Sequence, residues 1–409
     1  MITHLHIESF KCLRDVTIEL SPLTVFVGAN DSGKTSILDA VRLLGRTTAD
    51  GLPAALSSLV PDGAFPEALV WQGDATERIV LDALGAGYSY HLDFHASGRV
   101  HEEFLSTPGT VGIESSDSVA VAFDLTAGDA RVNVPAQEDR TALCSALMAH
   151  GRSMPGLVAV TREFSSSAKY QFDPRLLRRP SPLELAPSLT PSGENLAAVL
   201  DALLTGPDRT AARALDAAVR DAFPAFDGIG LKTIDGGGGR LLKTIDLPLA
   251  GGSGARSVPA WSVSDGALLM LAFLALAYSH SATPDILLLE EPAAGLHPTR
   301  IPMLASLLRQ ITTGELGGRP RQVIVATHNP IFLNHVRPAE VRLLHRAAGA
   351  GTSVTSMSQI PNVERLLLGY GVGDIWAQLA EEGFLMQQEA QPTSSKEGAA
   401  TTRRGIFAS

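Results

Sequence analysis

Apolar and polar residues alternate from the start of the chain. Ile2, Leu5 and Ile7, then Val16, Ile18 and Leu20, flank the polar stretch Lys11 to Asp15 and predict a strand, a turn and a second strand. A third strand, Leu23 to Val27, runs into the loop Gly28-Ala-Asn-Asp-Ser-Gly33-Lys34-Thr35, and Ser36 to Leu44 then has the apolar spacing of a helix. From about Val70 to Val134, short alternating runs such as ERIVLDAL, YSYHLDFH and SVAVAFDL are separated by Gly, Asp and Ser, which predicts an antiparallel sheet. Residues 141–225 predict mainly helices, with an Ala/Leu-rich stretch from Asn195 to Phe223 after the Pro-rich connector Arg179 to Pro191. LKTID at 231–235 recurs at 242–246 across a glycine run, as two strands of a hairpin do. A helix from Ser264, a strand Asp285 to Leu289, a helix near His297 to Ile311 and a strand Gln322 to Ala326 complete an α/β half. The tail after Met386 reads as disordered.

Composition narrows the classes. At 409 residues with 45% hydrophobic and 19% charged positions, the chain has ample core, and its 38 Gly and 25 Pro mark many turns. A net charge of −10 argues against chain-wide affinity for nucleic acid, leaving room for a local basic patch. Cys12 and Cys144 lack metal-ligand or CxxC spacing and read as reduced core thiols of a cytoplasmic protein. The longest apolar run, Gly266 to Tyr278, is too short for a bilayer, so no membrane association is expected.

The loop from Gly28 to Thr35 fits GxxxxGK[ST] without adjustment and lies between a strand and a helix, as the P-loop requires. Lysine is scarce, with six in the chain, and chance would produce the pattern only about 0.7% of the time. In such a loop, Gly28, Ala29, Asn30, Asp31, Ser32 and Gly33 offer backbone N–H groups to phosphate oxygens, joined by Ser36 at the helix start. Lys34 supplies charge to the β and γ phosphates, and Thr35 offers its hydroxyl to Mg2+. The implied ligands are ATP and Mg2+.

Three further elements stand at strand or helix ends. Ile286-Leu-Leu-Leu-Glu290-Glu291-Pro292 delivers two acids from a buried strand: Glu290 suits Mg2+ or its waters, and Glu291 suits polarising the attacking water. Two acids after a strand serve equally as solvated surface groups. His328 in Thr327-His328-Asn329 can reach a γ phosphate or water, or be structural. Ser264, Asp265 and Gly266 open an apolar helix, either as a plain N-cap or as an anion-facing start.

Taken in this order, the glycine loop, Ser-Asp-Gly helix start, LLLEEP, GLHP and THN resemble the ABC-type ATPase heads of the SMC, RecF and OLD group. ESFKCL, GANDSGKTS, VHEEFL, YQFDPRLLRRPS, SDGALLMLAFLAL and EEPAAGLHP extend the likeness to stand-alone RecF-like and OLD-like AAA-type bacterial ATPases. The resemblance implies an α/β fold: an ABC-type P-loop NTPase head with an antiparallel β subdomain and a helical insertion. The expected division is a first lobe at 1–140, the insertion at 141–230, a second lobe at 231–385 and the tail at 386–409. It also implies a homodimer clasped by ATP, in which Ser264 and Gly266 act on nucleotide held by the other copy, with DNA repair or phage defence as settings.

Departures from the pattern are informative. VSDGA stands where transporters have LSGGQ, Glu290 replaces the usual Walker B Asp, and no Q-loop glutamine stands out between Gln72 and Gln171. No heptad stretch suggests a coiled-coil arm, and no acidic set after THN suggests a Toprim nuclease domain. Arg175, Arg178 and Arg179 beside Tyr170 and Phe172 form the one compact basic group for DNA, or an intramolecularly paired face. His297 in GLHP either faces the other copy or starts a helix. Two other readings stand beside the ATP-driven switch of a DNA or effector-protein partner: a slow ATP-gated binding module and a P-loop small-molecule kinase.

Overall fold

The computed structural model describes residues 1–60, 66–73, 77–116, 119–126, 130–135, 137, 139–183, 187–238, 240–251, 256–279, 283–347 and 351–381. The tail expected at 386–409 lies outside them. The chain forms two compact units, Met1–Ser167 with Arg337–Ser409, and Ala168–Val336.

In the first unit the predicted antiparallel sheet is longer than its sequence signal. Eight strands run in the spatial order Leu13–Glu19, Ile2–Phe10, Arg78–Gly85, Tyr88–His95, Val100–Ser106, Val111–Ser116, Val119–Asp124 and Ala130–Pro135. Period-2 alternation buries Leu5 and Ile7 while His4, His6 and Glu8 take the other face. The strand Leu23–Gly28, buried throughout, pairs parallel with Val341–Ala347, which pairs antiparallel with Gly351–Ser356. Helix Lys34–Thr47 follows the glycine loop and buries Ile37, Leu38, Val41 and Leu44 along one stripe.

Helix Ala142–His150 is held to the large sheet by a buried carboxylate. Glu103, from VHEEFL, accepts the Tyr90 hydroxyl at 2.9 Å and the N–H groups of Ala142 and Leu143 at 2.5 and 3.3 Å, satisfying orphan donors of the helix start. A second carboxylate, Asp124, does the same for Gly156 and Leu157 at the start of helix Pro155–Ser165.

The second unit is built on two parallel strands, Ile286–Glu290 and Gln322–Thr327. Both are continuous apolar runs, as buried parallel strands are. Helix Asp265–Tyr278 is apolar on every side and buries each residue from Ala267 to Ala277. Arg321, 1% exposed, donates to the carbonyls of Leu276 and Ala277, closing that helix at its C-terminus. The LKTID repeat forms the hairpin Leu231–Asp235 and Leu241–Pro248, with Thr233 opposite Lys243.

The mainly helical segment contains Ala142–His150, Pro155–Ser165, Leu196–Thr205 and Arg209–Ala222, and one element its pattern did not announce. Ser167–Tyr170 is a strand hydrogen-bonded beside Ile286–Glu290. Only Tyr170 of its four residues is buried, so it carries no alternation to read.

Burial pushes the Glu103 carboxyl up to about 7, against the pull of its hydrogen bonds from Tyr90, Ala142 and Leu143. A carboxyl raised in the folded state holds a proton that the unfolded chain has already released, so its contribution to stability falls as pH rises from about 4.5 to about 7. Thermal unfolding followed across this range should show that decline, and Glu103→Gln should flatten it. An unchanged slope would place the proton elsewhere.

Candidate functional site

Close backbone approaches shape the glycine loop. A Cβ on Gly28 would lie 2.5 Å from the Leu344 carbonyl oxygen and 2.6 Å from Ser32 Oγ. Gly33 has φ 101° and Asp31 φ 66°, and left-handed residues set among right-handed ones make the backbone concavity that receives anions. Ala29, Asn30, Asp31 and Thr35 are exposed at its mouth, Ser32 and Lys34 are buried, and Ser36 is half-buried. Lys34 Nζ donates to the carbonyls of Gly28 and Ala29 at 2.9 and 2.7 Å, which stations its charge on the loop itself. The residues present thus fit a polyphosphate: a cradle a side chain would fill, a lysine at its rim and a helix N-terminus behind it.

Residues distant in sequence hold this loop from beneath. Thr352 Oγ1 donates to the Ser32 carbonyl at 3.0 Å, Cys12 Sγ lies 3.3 Å from Ser36 Oγ, and Lys11 pairs with Asp39 of the following helix at 2.6 Å. Lys11 and Cys12 lie in ESFKCL, while Thr352 carries no sequence signature. Cys12 and Cys144 are both free thiols, but Cys12 supports the loop while Cys144 is core.

In the second unit, the register Glu290 opposite Ala326 brings the ends of the two parallel strands level. Glu291 turns out at φ 45°, a left-handed conformation that strains a residue with a Cβ, and its N–H donates to the Ala326 carbonyl at 2.8 Å. Its carboxylate accepts from Thr327 Oγ1 at 2.9 Å and from the His328 N–H at 3.1 Å, and lies 2.6 Å from His328 Nδ1. Two sequence candidates thus meet directly. With Nδ1 held by the acid, the His328 ring, 62% exposed, presents its far edge to solvent.

Glu290 is ion-paired with Lys169 at 2.8 Å, a contact supplied by the unannounced strand. Gln171, next after that strand, joins Glu290, Glu291, Tyr170, Phe172 and Phe273 in lining one shallow pocket. It belongs to the stretch from Gln72 to Gln171 in which the sequence singled out no glutamine. Only the pairing of Ser167–Tyr170 with the Glu290 strand distinguishes it.

Ser264 caps helix Asp265–Tyr278 by accepting from the Ala267 N–H. Asp265 is paired with Arg178 at 2.8 Å, and the same guanidinium donates to the Val263 carbonyl at 3.1 Å. The arginine group is therefore not one basic patch, because its middle member is engaged in fixing the helix start. A Cβ on Gly266 would meet the Gly295 carbonyl oxygen at 3.4 Å, so the start of this helix lies against the GLHP loop. His297 Nδ1 accepts the Thr299 N–H, the helix-start role.

The family models match in the same two places. One described as "AAA domain, putative AbiEii toxin, Type IV TA system" matches residues 132–334, and one described as "AAA ATPase domain" matches residues 1–69. A DNA replication and repair protein RecF of Acinetobacter baumannii is 39% identical over 89 residues, 21% of this chain and 24% of that protein. An OLD nuclease of Thermus scotoductus is 46% identical over 44 residues, 11% of this chain and 8% of that one. The matches thus span a quarter or less of these curated relatives. An SMC head solved with the C-terminal winged-helix domain of ScpA shares the fold at TM-score 0.52 and 15% identity, covering 87% of this chain and 97% of that one.

Together these matches support an ABC-type P-loop ATPase head of the SMC, RecF and OLD kind, and the SMC-head likeness shows the fold. Proteins of this kind bind and hydrolyse ATP with Mg2+ as a class. No helix among the described residues is long and apolar enough to cross a membrane.

Gly28→Val should abolish nucleotide binding, measured with a fluorescent ATP analogue, because the added side chain meets a backbone carbonyl rather than a movable group. Retained affinity would show that the loop tolerates a side chain there.

Proposed function

We propose that this protein binds ATP with Mg2+, hydrolyses it while two copies are clasped head to head, and uses the opening and closing to act on a DNA or protein partner. The observation that supports this best is the Glu291 carboxylate, held by Thr327 Oγ1 and by the backbone N–H and ring Nδ1 of His328 at the end of a buried strand. A strained acid fixed by three donors is suited to positioning a water for attack on phosphorus, and phosphoryl transfer depends mainly on positioning and charge neutralisation.

In this reading the loop N–H groups and Lys34 hold the β and γ phosphates. Thr35 and Glu290 hold Mg2+, which supplies charge neutralisation at the phosphates when bound. Glu291 orients the water, His328 contacts the γ phosphate or that water, and Ser264, Asp265 and Gly266 close over nucleotide on the other copy. Lys169 on Glu290 Oε2 is in competition with Mg2+ for this carboxylate.

That competition favours a second reading, a slow ATP-gated binding module whose partner carries the effector activity. The names of the matched relatives, a DNA repair protein and a nuclease, support DNA repair or phage defence as settings. A small-molecule kinase leaves Ser264, the acid pair and His328 without a task.

Glu291→Gln keeps an acceptor for Thr327 and removes the charge. The variant should bind ATP with near-normal affinity, lose turnover by about 100-fold or more, and accumulate as a dimer by light scattering in ATP. Normal turnover would take Glu291 out of the mechanism. Turnover of the unaltered chain with and without duplex DNA separates the two readings: strong stimulation supports the DNA-driven switch, and persistent slow turnover supports the gate.

A further inference from the structure

Away from the glycine loop, the exposed face of the eight-stranded sheet carries a compact group of ligating side chains. Strand register places it there: His6 lies opposite Asp82, Asp82 opposite His91, and Glu8 opposite Asp15. His6 Nδ1 is 2.7 Å from Asp82 Oδ2, and Asp82, itself 5% exposed, holds His91 Nδ1 with its other oxygen. The other ring nitrogen of His6, Nε2, lies 3.3 Å from Glu8 Oε1 and 3.1 Å from Asp15 Oδ1. One donor atom from each of His6, Glu8 and Asp15 falls within a 4.8 Å span.

We propose that His6, Glu8 and Asp15 form a binding site for a divalent transition-metal ion, with Zn2+ the best match to one imidazole nitrogen and two carboxylate oxygens. Two features favour a cation over a simple polar surface. Glu8 and Asp15 are like charges placed directly opposite each other across an antiparallel ladder, a pairing that draws a cation between them, where the His6 imidazolium sits when no metal ion is bound. Asp82 accepts from Nδ1 and so directs Nε2 at the two carboxylates, as an outer-shell carboxylate does for a metal-bound histidine. Three protein donors leave a fourth tetrahedral position for water, the form of an open rather than closed zinc site. The ion would join strands Ile2–Phe10 and Leu13–Glu19, with the third strand engaged through Asp82. This site involves none of the residues assigned to ATP.

The test uses the full chain, freed of metal by chelator and without nucleotide, titrated with Co2+ as a spectroscopic probe and then with Zn2+ as competitor. One equivalent of Co2+ should bind with visible d–d absorption and be displaced by Zn2+. Asp15→Asn, a change at a largely exposed side chain that spares folding, should weaken binding about 100-fold, and Asp82→Asn by 10- to 100-fold. Binding of a fluorescent ATP analogue should be unchanged in Asp15→Asn. Absence of a stoichiometric Co2+ site, or affinity in His6→Gln and Asp15→Asn unchanged from that of the unaltered chain, would overturn the proposal and leave the group as a charge network between imidazolium and carboxylates.

Discussion

The parallel pairing of Ile286–Glu290 with Gln322–Thr327 is the constraint on which the second unit depends. Because both strands are apolar throughout and buried on both faces, packing holds them in one register, and the two chains leave the sheet at the same level. Glu291 is then one hydrogen bond from Ala326 and its carboxylate is within reach of Thr327 and His328. The left-handed backbone of Glu291 is the strain this geometry carries. It persists because the N–H and carboxylate of the same residue are both tied to the neighbouring strand end.

Several polar groups placed inside the fold bind backbone groups that would otherwise be orphaned. Glu103 and Asp124 accept from helix N-termini, Arg321 donates to the C-terminal carbonyls of helix Asp265–Tyr278, and Lys34 donates to the carbonyls of its own loop. Arg178 applies the same logic at the helix start, binding Asp265 and the Val263 carbonyl together. Such contacts explain why charged residues lie in motifs like VHEEFL and LLRRPS without serving a ligand.

Much of the architecture was legible along the chain, because its signals are local. Strand periodicity, the glycine loop between strand and helix, the Ser264 cap and the two buried strands each declare themselves within a few residues. The strand Ser167–Tyr170 was not legible. It is short, mostly unburied on its own terms, and exists because the Glu290 strand offers it an edge. Missing it also meant missing Lys169 and Gln171, whose relevance comes entirely from that neighbour. The arginine group left two readings open for a related reason: adjacency in sequence says nothing about which cation is already paired, and the paired face is the one Arg178 shows.

What the sequence determined by itself is the chemistry available: a phosphate loop with its lysine, two acids after a buried strand, a histidine after another, and a capped helix start. These are properties of residue type and short-range spacing, set by backbone sterics and side-chain reach. Tertiary structure alone decided which of them touch. That Glu291 is bonded to His328, that Glu290 is paired with Lys169, that Thr352 supports the loop at Ser32, and that His6, Glu8 and Asp15 converge across two strands all follow from register. Register arises from the burial of apolar faces between segments far apart in the chain, and no local pattern encodes it.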